Sequence, residues 1–427
     1  MLTSLYAAVS GLNANGTSLS VIGDNIANLN TGGFKASRVT FGDVLAGVAS
    51  PLQVGRGVLV SSVSPLFTQG SFENTANALD LTIDGDGFFI VGEGGARYYS
   101  RAGQFNLDKD GNIINPEGLI LQGYLADAAG NITGEIGNLN VSTSQSPPNL
   151  TSKVETAVNL DARTGVTVNP FTLDGNGDLT LDDPANYNFS TTTTVYDSQG
   201  GDHSVSLYFV KTADNTWEVH SVHKDPTDPS LLVDAGTQTL TFDTNGALVN
   251  DNSSTAISFD FGASVTTPQA ITFNYGTGTG EATPGNGFDG TTQVSADFAV
   301  MNLSQDGYSA GSLKNLAIEN GALTGVFTNG QTRALGQVAL ARFAAPTGLK
   351  KIGRNLYVAS SDSGQTLVGM AGASGLGRVL SNTLELSNVD LAEEFVKMIS
   401  AQRGFQANSR IITTTDELMQ ELVNLKR

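Results

Sequence analysis

The chain has 427 residues, and its 50 glycines indicate turn-rich β structure divided over two or three domains rather than one core. Its formal net charge of −19 at pH 7 argues against nucleic-acid binding, which depends on basic side chains that neutralise phosphates. Because the chain has no cysteine, disulfides, thiolate catalysis and cysteine-bound zinc are excluded.

The first thirty residues are predicted to form a helix. Its apolar side chains recur at three- and four-residue spacing, at Leu5, Val9, Leu12, Leu19, Ile22 and Ile26. The pattern ends at Asn30-Thr31-Gly32-Gly33. Gly11, Gly16 and Gly23 each cost about 1 kcal/mol relative to alanine inside a helix. We therefore expect this helix to be marginal alone and to order fully only when neighbouring copies pack around it.

The N-terminal region carries no signal for the general secretory route. The first lysine is Lys35, so the basic n-region of a signal peptide is missing. No run in the chain approaches the roughly 18 apolar residues that a membrane-spanning helix needs. Secretion by the usual route is therefore not expected.

A connector and a first β domain are expected next. Residues 31–75 contain many glycines and serines, with a strand candidate at Gly57–Val63. From Leu79 onward, short alternating runs are separated by turn signals such as Asp84-Gly85-Asp86-Gly87. This pattern predicts a series of hairpins.

An acidic insertion is predicted to interrupt this β domain. A boundary at 144–149 contains two prolines, and threonine-rich strands with acidic turns follow to about Gly287. The segment 151–297 carries 19 acidic and 4 basic side chains, so it is expected to stay hydrated. The β pattern resumes at Val294–Val300, which indicates that the first β domain is discontinuous.

The last forty residues are predicted to form a second helix, for which Ser387-Asn388-Val389-Asp390 fits a capping box. A heptad-like apolar stripe follows: Leu391, Phe395, Met398, Phe405, Ile412, Met419 and Val423. We predict that both terminal helices pack as a coiled-coil-like pair and also contact other copies of the chain. An ordinary two-helix core within one subunit is the competing interpretation.

The predicted fold class is therefore mainly β with terminal α-helices and two β-rich domains, the second inserted in the first. The expected division is a terminal helical domain of 1–30 and 388–427, a connector of 31–75, a discontinuous β domain of 76–146 and 290–375, and an inserted outer acidic β domain of 147–289.

Both ends of the chain resemble the rod-and-hook family of flagellar axial proteins. The signature positions are Asn25, Asn28, Asn30, Thr31, Gly33 and Phe34 near the N-terminus and Asn388, Asp390, Gln402, Arg403, Gly404 and Asn408 near the C-terminus. Residues 81–89 and 101–105 are similar to the first β domain that the hook and rod members share. Rod members resemble the ends but lack an insertion of this size, so the resemblance favours the hook members over a distal rod protein. It covers most of the chain and weakens between about 220 and 290.

The resemblance implies a structural subunit, not an enzyme, that polymerises with itself into a flexible helical tube serving as a universal joint between rod and filament. It implies export by the flagellar type III apparatus without a cleaved signal peptide, and an extracellular place on the flagellum. The implied partners are the distal rod protein, the hook cap and the hook-filament junction protein. No cofactor, small-molecule substrate or nucleic acid is implied. An extracellular β-rich adhesin is the alternative from another class.

Three local patterns suggest chemistry but have simpler interpretations. Gly307–Gly311 fits G-x-S-x-G, yet all three histidines lie upstream and turn residues precede it. His220 and His223 are three residues apart, which places them on opposite faces of a strand, and we interpret them as solvated surface residues.

A calcium loop is the third pattern. Asp174, Asn176, Asp178 and Asp182 could surround Ca²⁺, but a leucine and an alanine stand at the sixth and twelfth positions, where an EF-hand loop needs glycine and a bidentate acid. A polar turn is the expected structure.

Overall fold

A computed structural model of the chain describes residues 2–45, 55–127, 129–141, 145–173, 186–251, 255–281 and 283–424. The chain divides into two compact units. Unit 1 comprises Met1–Ser144, Lys314–Val326 and Thr332–Arg427, and unit 2 comprises Gln145–Leu313 and Phe327–Gln331. The finer predicted division into terminal, connector and β segments stays a prediction. Among the described residues, no helix is long and apolar enough to cross a membrane.

Two helices bracket the strands in the described residues: α1 spans Leu2–Ala27 and α2 spans Leu391–Asn424. The strands before the insertion are β1 (Ser37–Leu45), β2 (Gly55–Pro65), β3 (Phe72–Asn74), β4 (Leu81–Asp84), β5 (Phe88–Glu93), β6 (Ala96–Ser100), β7 (Asn106–Leu107), β8 (Ile113–Ile114), β9 (Ile120–Ala126) and β10 (Ile132–Asn138). Unit 2 contains β11 (Lys153–Asn159), β12 (Phe189–Tyr196), β13 (Asp202–Ala213), β14 (Thr216–Lys224), β15 (Leu232–Phe242), β16 (Leu248–Asn250), β17 (Ile257–Phe259), β18 (Gln269–Asn274) and β19 (Ala299–Gln305). The remaining strands are β20 (Leu313–Glu319), β21 (Ala322–Phe327), β22 (Thr332–Phe343), β23 (Lys350–Gly353), β24 (Leu356–Val358), β25 (Thr366–Met370), β26 (Arg378–Ser381) and β27 (Thr383–Glu385). The predicted fold class, mainly β with a terminal helix at each end and one β unit inserted in the other, is confirmed.

A sheet with the strand order β20-β21-β22-β9-β5-β6-β24-β23 forms the centre of unit 1. Its aromatic core includes Phe88, whose ring lies edge-on to Phe67 at 5.2 Å and to Phe343 at 5.8 Å between centroids. Strand β5 is buried from Phe88 to Val91, which is typical of a strand covered on both faces. The smaller pairs β3–β27 and β4–β26 connect this region to the chain that enters α2.

The connector forms an antiparallel hairpin of β1 and β2. The predicted strand Gly57–Val63 is confirmed, since it lies within β2. Its partner β1 was missed by sequence analysis. The hairpin contacts α1, where the Ser10 hydroxyl accepts a hydrogen bond of 3.1 Å from the backbone N–H of Val58.

Unit 2 is a sandwich of a five-stranded sheet, β12 to β16 in order, and a four-stranded sheet, β17-β18-β11-β19. Its core contains Trp217, Phe209 and Phe273, all fully buried. The indole N–H of Trp217 donates a 3.0 Å hydrogen bond to Gln293 Oε1, so the polar atom of this ring is satisfied inside the core.

Both histidines that we interpreted as solvated are buried, so that prediction is wrong. His220 and His223 are 8% and 3% exposed. They do lie on opposite faces of β14: His220 stacks on Phe171 at 4.2 Å, and His223 packs on Phe259 at 5.4 Å between ring centroids. Phenylalanines distant in sequence cover both imidazoles, which a local pattern cannot reveal.

The other two chemical patterns gain no support. The segment Gly307–Gly311 forms isolated antiparallel β-bridges with residues 146–149, pairing Gly311 with Ser146 and Tyr308 with Asn149. It therefore lacks the strand, turn and helix that form a nucleophile elbow. The calcium candidates Asp174, Asn176, Asp178 and Asp182 lie outside the described residues.

Candidate functional site

The two terminal helices, which we call the helical arm, pack against each other antiparallel in unit 1. The side chain of Asn408 lies against Gly11, and that of Asn15 lies against Gly404. A step of four residues forward along α1 is thus matched by a step of four residues backward along α2. This pairing confirms the predicted packing of the N- and C-terminal helices.

The buried positions of the helical arm hold mostly small or polar residues. They are Ala8, Gly11, Ala14, Ile22 and Asn25 on α1 and Glu394, Ala401 and Thr415 on α2. Small side chains allow two helices to approach closely, but they remove little apolar surface from water. The helical arm therefore lacks the large apolar core that usually holds a helix pair together.

Large apolar side chains of the arm are instead exposed. They are Tyr6 and Val9 on α1 and Leu391, Phe395, Val396, Ile399, Ile411, Leu418 and Met419 on α2. Phe395 is 47% exposed, Ile399 50% and Val396 69%. Leu391, Phe395 and Ile399 follow one another at four-residue spacing, so they form one apolar strip on α2, and an exposed strip of this kind indicates a protein interaction site. We call this set the outer face of the arm.

The predicted assembly residues fall into three groups by exposure. Ile22 is buried in the single chain. Half-buried are Leu5, Leu12, Leu19, Ile26, Met398, Phe405 and Ile412. Exposed are Val9, Leu391, Phe395 and Met419. Only the last group is exposed enough to contact another molecule without rearrangement, and the role of all these residues in assembly stays a prediction.

The β1–β2 hairpin, which contacts α1, also exposes the large apolar side chains of Phe41, Leu59 and Val63. A groove with a volume of about 440 Å³ lies between α1, α2 and β1. Its walls include Ile22, Phe41 and Val396, together with the charged Glu394 and Lys397. Burial alone would lower the pKa of Lys397, but its hydrogen bonds to the two neighbouring carboxylates of α2 raise it.

The helical arm joins the sheet of unit 1 at an elbow, residues 28–37 and 385–390, built from asparagine side chains. Asn25 exchanges two hydrogen bonds with the backbone of Ser37, at 2.9 and 2.8 Å, and donates one of 3.2 Å to Glu394. Asn388 accepts from the backbone N–H of Ala36 at 2.8 Å and donates to the carbonyl of Leu66 at 2.8 Å. These contacts satisfy backbone groups that leave regular structure at the elbow.

A buried ion pair lies within the elbow. The Lys35 ammonium is 2.6 Å from Glu385 Oε1 and donates to the carbonyl of Thr68 at 2.7 Å, and both charged side chains are almost fully buried. Arg101 Nη1 lies 3.7 Å from the other oxygen of Glu385. Burial lowers the pKa of Lys35, and the nearby Glu385 carboxylate opposes this effect. Removal of one partner would leave the other charge without compensation.

The predicted capping box at 387–390 is wrong in its detail. Helix α2 begins at Leu391, and the cap is Asp390, whose Oδ1 accepts from the backbone N–H groups of Ala392 and Glu393 at 2.8 and 3.1 Å. Ser387 lies one turn earlier, in the extended elbow. Since aspartate caps as well as serine, the sequence alone allowed both positions.

Most family-signature residues act within the subunit. Asn25 and Asn388 hold the elbow, and Gly33, with a φ of 69°, turns the chain close to Arg101 and Ala102. Further signature residues with structural contacts are Asn28, Thr31, Phe34, Asp390, Gly404 and Asn408. Asn30, Gln402 and Arg403 are exposed. Sequence analysis missed Lys35, Glu385 and Arg101 as site residues, although Lys35 directly follows the signature position Phe34.

Four family models match the chain in order. They are described as Flagella basal body rod protein over residues 5–35, Flagellar hook protein FlgE/F/G D1 domain over 82–170, Flagellar basal body protein FlaE D2 domain over 159–308, and Flagellar basal body rod FlgEFG protein C-terminal over 380–425. The first and last matches contain most of the helical arm, and the third contains most of unit 2.

Curated relatives match over the full length of the chain. The flagellar hook protein FlgE of Borreliella burgdorferi is 37% identical and covers 100% of both chains. That of Escherichia coli is 37% identical over 98% of this chain and 99% of its own. Among solved structures, Helicobacter pylori flagellar hook protein FlgE2 has a TM-score of 0.50 at 16% identity, covering 72% of this chain and 98% of that one, which supports the fold alone.

Proposed function

Since this chain belongs to the flagellar hook protein family and is a structural subunit of the flagellar hook, we propose that it assembles by packing the outer face of its helical arm against neighbouring copies. The exposed row of large apolar side chains on α2 carries this proposal. In the single chain, α1 packs on the side of α2 that carries the small residues Ala401 and Gly404.

The energetic argument follows from burial. A valine, leucine or phenylalanine side chain gains about 1.5–3 kcal/mol when it moves from water into a packed interface, before the entropy of ordering is subtracted. Several such residues on α2 and on the β1–β2 hairpin can hold copies together strongly. When each copy binds the next through two different surfaces, the copies form either a closed ring or an open helix. If the rotation between copies does not close a ring, the product is a helical tube.

The sandwich of unit 2 suits a different task. Its segment carries 19 acidic and 4 basic side chains between residues 151 and 297, so neighbouring copies of unit 2 repel and stay hydrated. Hydrated polar surfaces can slide past each other more easily than interlocked apolar ones. We infer that the arms provide cohesion while unit 2 permits the bending that a universal joint needs.

The export route, the location and the partners of the protein are also part of the proposal. We infer export through the flagellar type III apparatus without a cleaved signal peptide, a place outside the cell, and contacts with the distal rod protein, the hook cap and the hook-filament junction protein. The family membership supports this setting. A distal rod role is disfavoured by the D2 domain match over 159–308, and an adhesin by the full-length match to hook proteins. The family is structural, which supports the absence of catalysis.

Negative-stain microscopy tests the assembly proposal. Full-length protein should form tubes under conditions that favour self-association, while a variant lacking residues 390–427 should remain monomeric. A finer comparison sets the double variant Phe395→Ser with Ile399→Ser against Leu367→Ser, since Leu367 is an apolar residue of β25 outside the arm and is 63% exposed. Tubes from the first variant, or their loss in the Leu367→Ser control, would contradict a specific role of the outer face.

A further inference from the structure

A buried histidine of unit 2 has one ring nitrogen without a partner. His220 on β14 is 8% exposed, and its Nδ1 lies 2.8 Å from Asp234 Oδ2 and 3.1 Å from the Thr237 hydroxyl. Its Nε2 has no hydrogen-bond partner among the described residues. Buried polar atoms are rarely left without a partner, so this nitrogen indicates a place where a ligand can bind.

The contact with Asp234 determines which ring nitrogen of His220 carries the proton. A carboxylate accepts hydrogen bonds and cannot donate them, so the neutral imidazole keeps its proton on Nδ1 and presents a lone pair at Nε2. Glu218 Oε2 lies 3.8 Å from Nε2, which is too long for a hydrogen bond. Two electron-pair donors therefore lie close together with no proton between them.

We propose that Glu218 and His220 bind a divalent transition-metal ion such as Zn²⁺. Zinc lies about 2.1 Å from a histidine nitrogen or a carboxylate oxygen, and a tetrahedral angle places two such atoms about 3.4 Å apart. The Glu218 side chain is 41% exposed, so it is free to move the remaining few tenths of an ångström. Asp234 holds the far side of the imidazole, as a carboxylate commonly does for a metal-binding histidine.

The fold brings the two proposed ligands together and leaves space beside them. Residues two apart on a strand point to the same face, so Glu218 and His220 project from one side of β14. Phe171 stacks on the imidazole at 4.2 Å between ring centroids and orients it. Both ligands line a cavity of about 230 Å³, which has room for water molecules. Within the described part of the chain no third side chain joins them as a ligand, so water completes the coordination.

The other two histidines lack this arrangement. His203 contacts Asp197 through Nε2 at 2.8 Å, and His223 contacts the carbonyl of Lys224 through Nδ1 at 2.8 Å. In the described residues, His203 has no second carboxylate within 4 Å and His223 has none at all. The acidic segment 151–297 attracts cations in general, but only His220 offers a free lone pair beside a second carboxylate.

Because the chain has only three histidines, metal binding can be followed at each of them in the full-length protein. Histidine labelled with ¹³C gives one ring signal per residue, and tag-free protein is treated with a chelator, dialysed and titrated with Zn²⁺ alone. We expect one signal to shift and to saturate at one ion per chain, and His220→Gln should remove that signal. Before zinc is added, the ring carbon shifts of His220 should report a proton on Nδ1.

Substitutions distinguish this site from a general attraction of cations. Asp234→Asn introduces an amide that can donate to Nδ1, so it should weaken Zn²⁺ binding about 10–100-fold. Glu218→Gln removes a direct ligand and should weaken binding at least as much. His203→Gln is the matched control for His220→Gln and should leave the affinity unchanged. Calorimetry measures the affinities, and urea unfolding shows that each variant is folded.

Three results would overturn the inference. They are a His220 signal that does not move with Zn²⁺, a shift at His203 or His223 in its place, and a Glu218→Gln variant that binds as tightly as the unchanged chain. Since Glu218 is partly exposed, that variant should fold even if His220→Gln does not. Zinc binding is measured on the soluble chain, so its outcome is independent of tube formation.

Discussion

The helical arm of unit 1 and the sandwich of unit 2 use apolar side chains in opposite ways. In unit 2, Trp217 and Phe273 are fully buried between the two sheets. In the helical arm, buried positions hold residues such as Ala14 and Ala401, while Phe395 is nearly half exposed. Unit 2 therefore contains the core that it needs, whereas the arm keeps its largest apolar residues available for contacts outside the subunit.

The largest effect on stability is expected in the sandwich. Trp217→Ala removes a fully buried indole, so we expect unit 2 to lose about 3–5 kcal/mol of unfolding free energy. Phe395→Ala should change the unfolding free energy of the single chain by less than about 0.5 kcal/mol, because surface substitutions rarely do more. Urea unfolding followed by circular dichroism measures both values. Equal destabilisation by the two variants would break the comparison between arm and sandwich.

A somewhat smaller loss is expected at the elbow. Lys35→Met leaves the Glu385 carboxylate buried, with Arg101 at 3.7 Å as the remaining cation, and should cost unit 1 about 3 kcal/mol. The control is Lys153→Met, the same substitution in an exposed ion pair with Glu155, which should cost less than about 1 kcal/mol. Thermal unfolding of the two variants compares them directly. Similar shifts in the unfolding temperature of the two variants would mean that burial of the Lys35–Glu385 pair adds nothing to the stability of unit 1.

Sequence patterns predicted that the two helices of the arm exist, but they did not predict which faces of the helices contact each other. Apolar spacing placed both helices correctly, because amphipathic periodicity is a local signal. The same signal did not show which face of each helix meets its partner, since the contact uses Gly11, Asn15, Gly404 and Asn408, which apolar periodicity ignores. Glycine and asparagine at matching positions of the two helices were the available clue.

Long-range contacts account for the other differences. Lys35 and Glu385 are 350 residues apart, so no local pattern pairs them. His220 is covered by Phe171 from a separate segment, and this contact turned an expected surface residue into a buried one. Turns, by contrast, were predictable, because glycine and aspartate between short apolar runs, as in Asp84-Gly85-Asp86-Gly87, are a local signal.

The cap of α2 gives a prediction of intermediate size. Asp390→Ala removes the acceptor of two backbone N–H groups and should destabilise the helix by about 1 kcal/mol. Ser387→Ala is the matched control at the residue that the capping-box pattern favours, and it should have a much smaller effect. Helix content by circular dichroism during heating distinguishes the two. A larger loss from Ser387→Ala would show that the cap lies one turn earlier.

Acid should destabilise both units through the same type of aspartate turn. Each aspartate is expected to have the smallest effect on stability among these predictions. Backbone N–H groups of Asn131 in unit 1 and of Ala247 in unit 2 donate to Asp127 and Asp243, and these hydrogen bonds lower the pKa of each carboxyl. A carboxyl with a lower pKa in the folded chain stabilises the fold fully above its unfolded pKa, about 3.9, and loses this contribution as the pH falls towards the folded value.

Urea midpoints measured at a series of pH values should therefore be level above about pH 5 and fall below about pH 4. Asp127→Asn keeps an acceptor oxygen without the titrating proton, so the fall should become shallower for unit 1 only, and Asp243→Asn should do the same for unit 2. A fall that keeps its slope in both variants would place the acid sensitivity elsewhere. A change confined to the matching unit would show that unit 1 and unit 2 share one type of electrostatically stabilised turn, although the arm of unit 1 exposes its large apolar residues and the sandwich of unit 2 buries them.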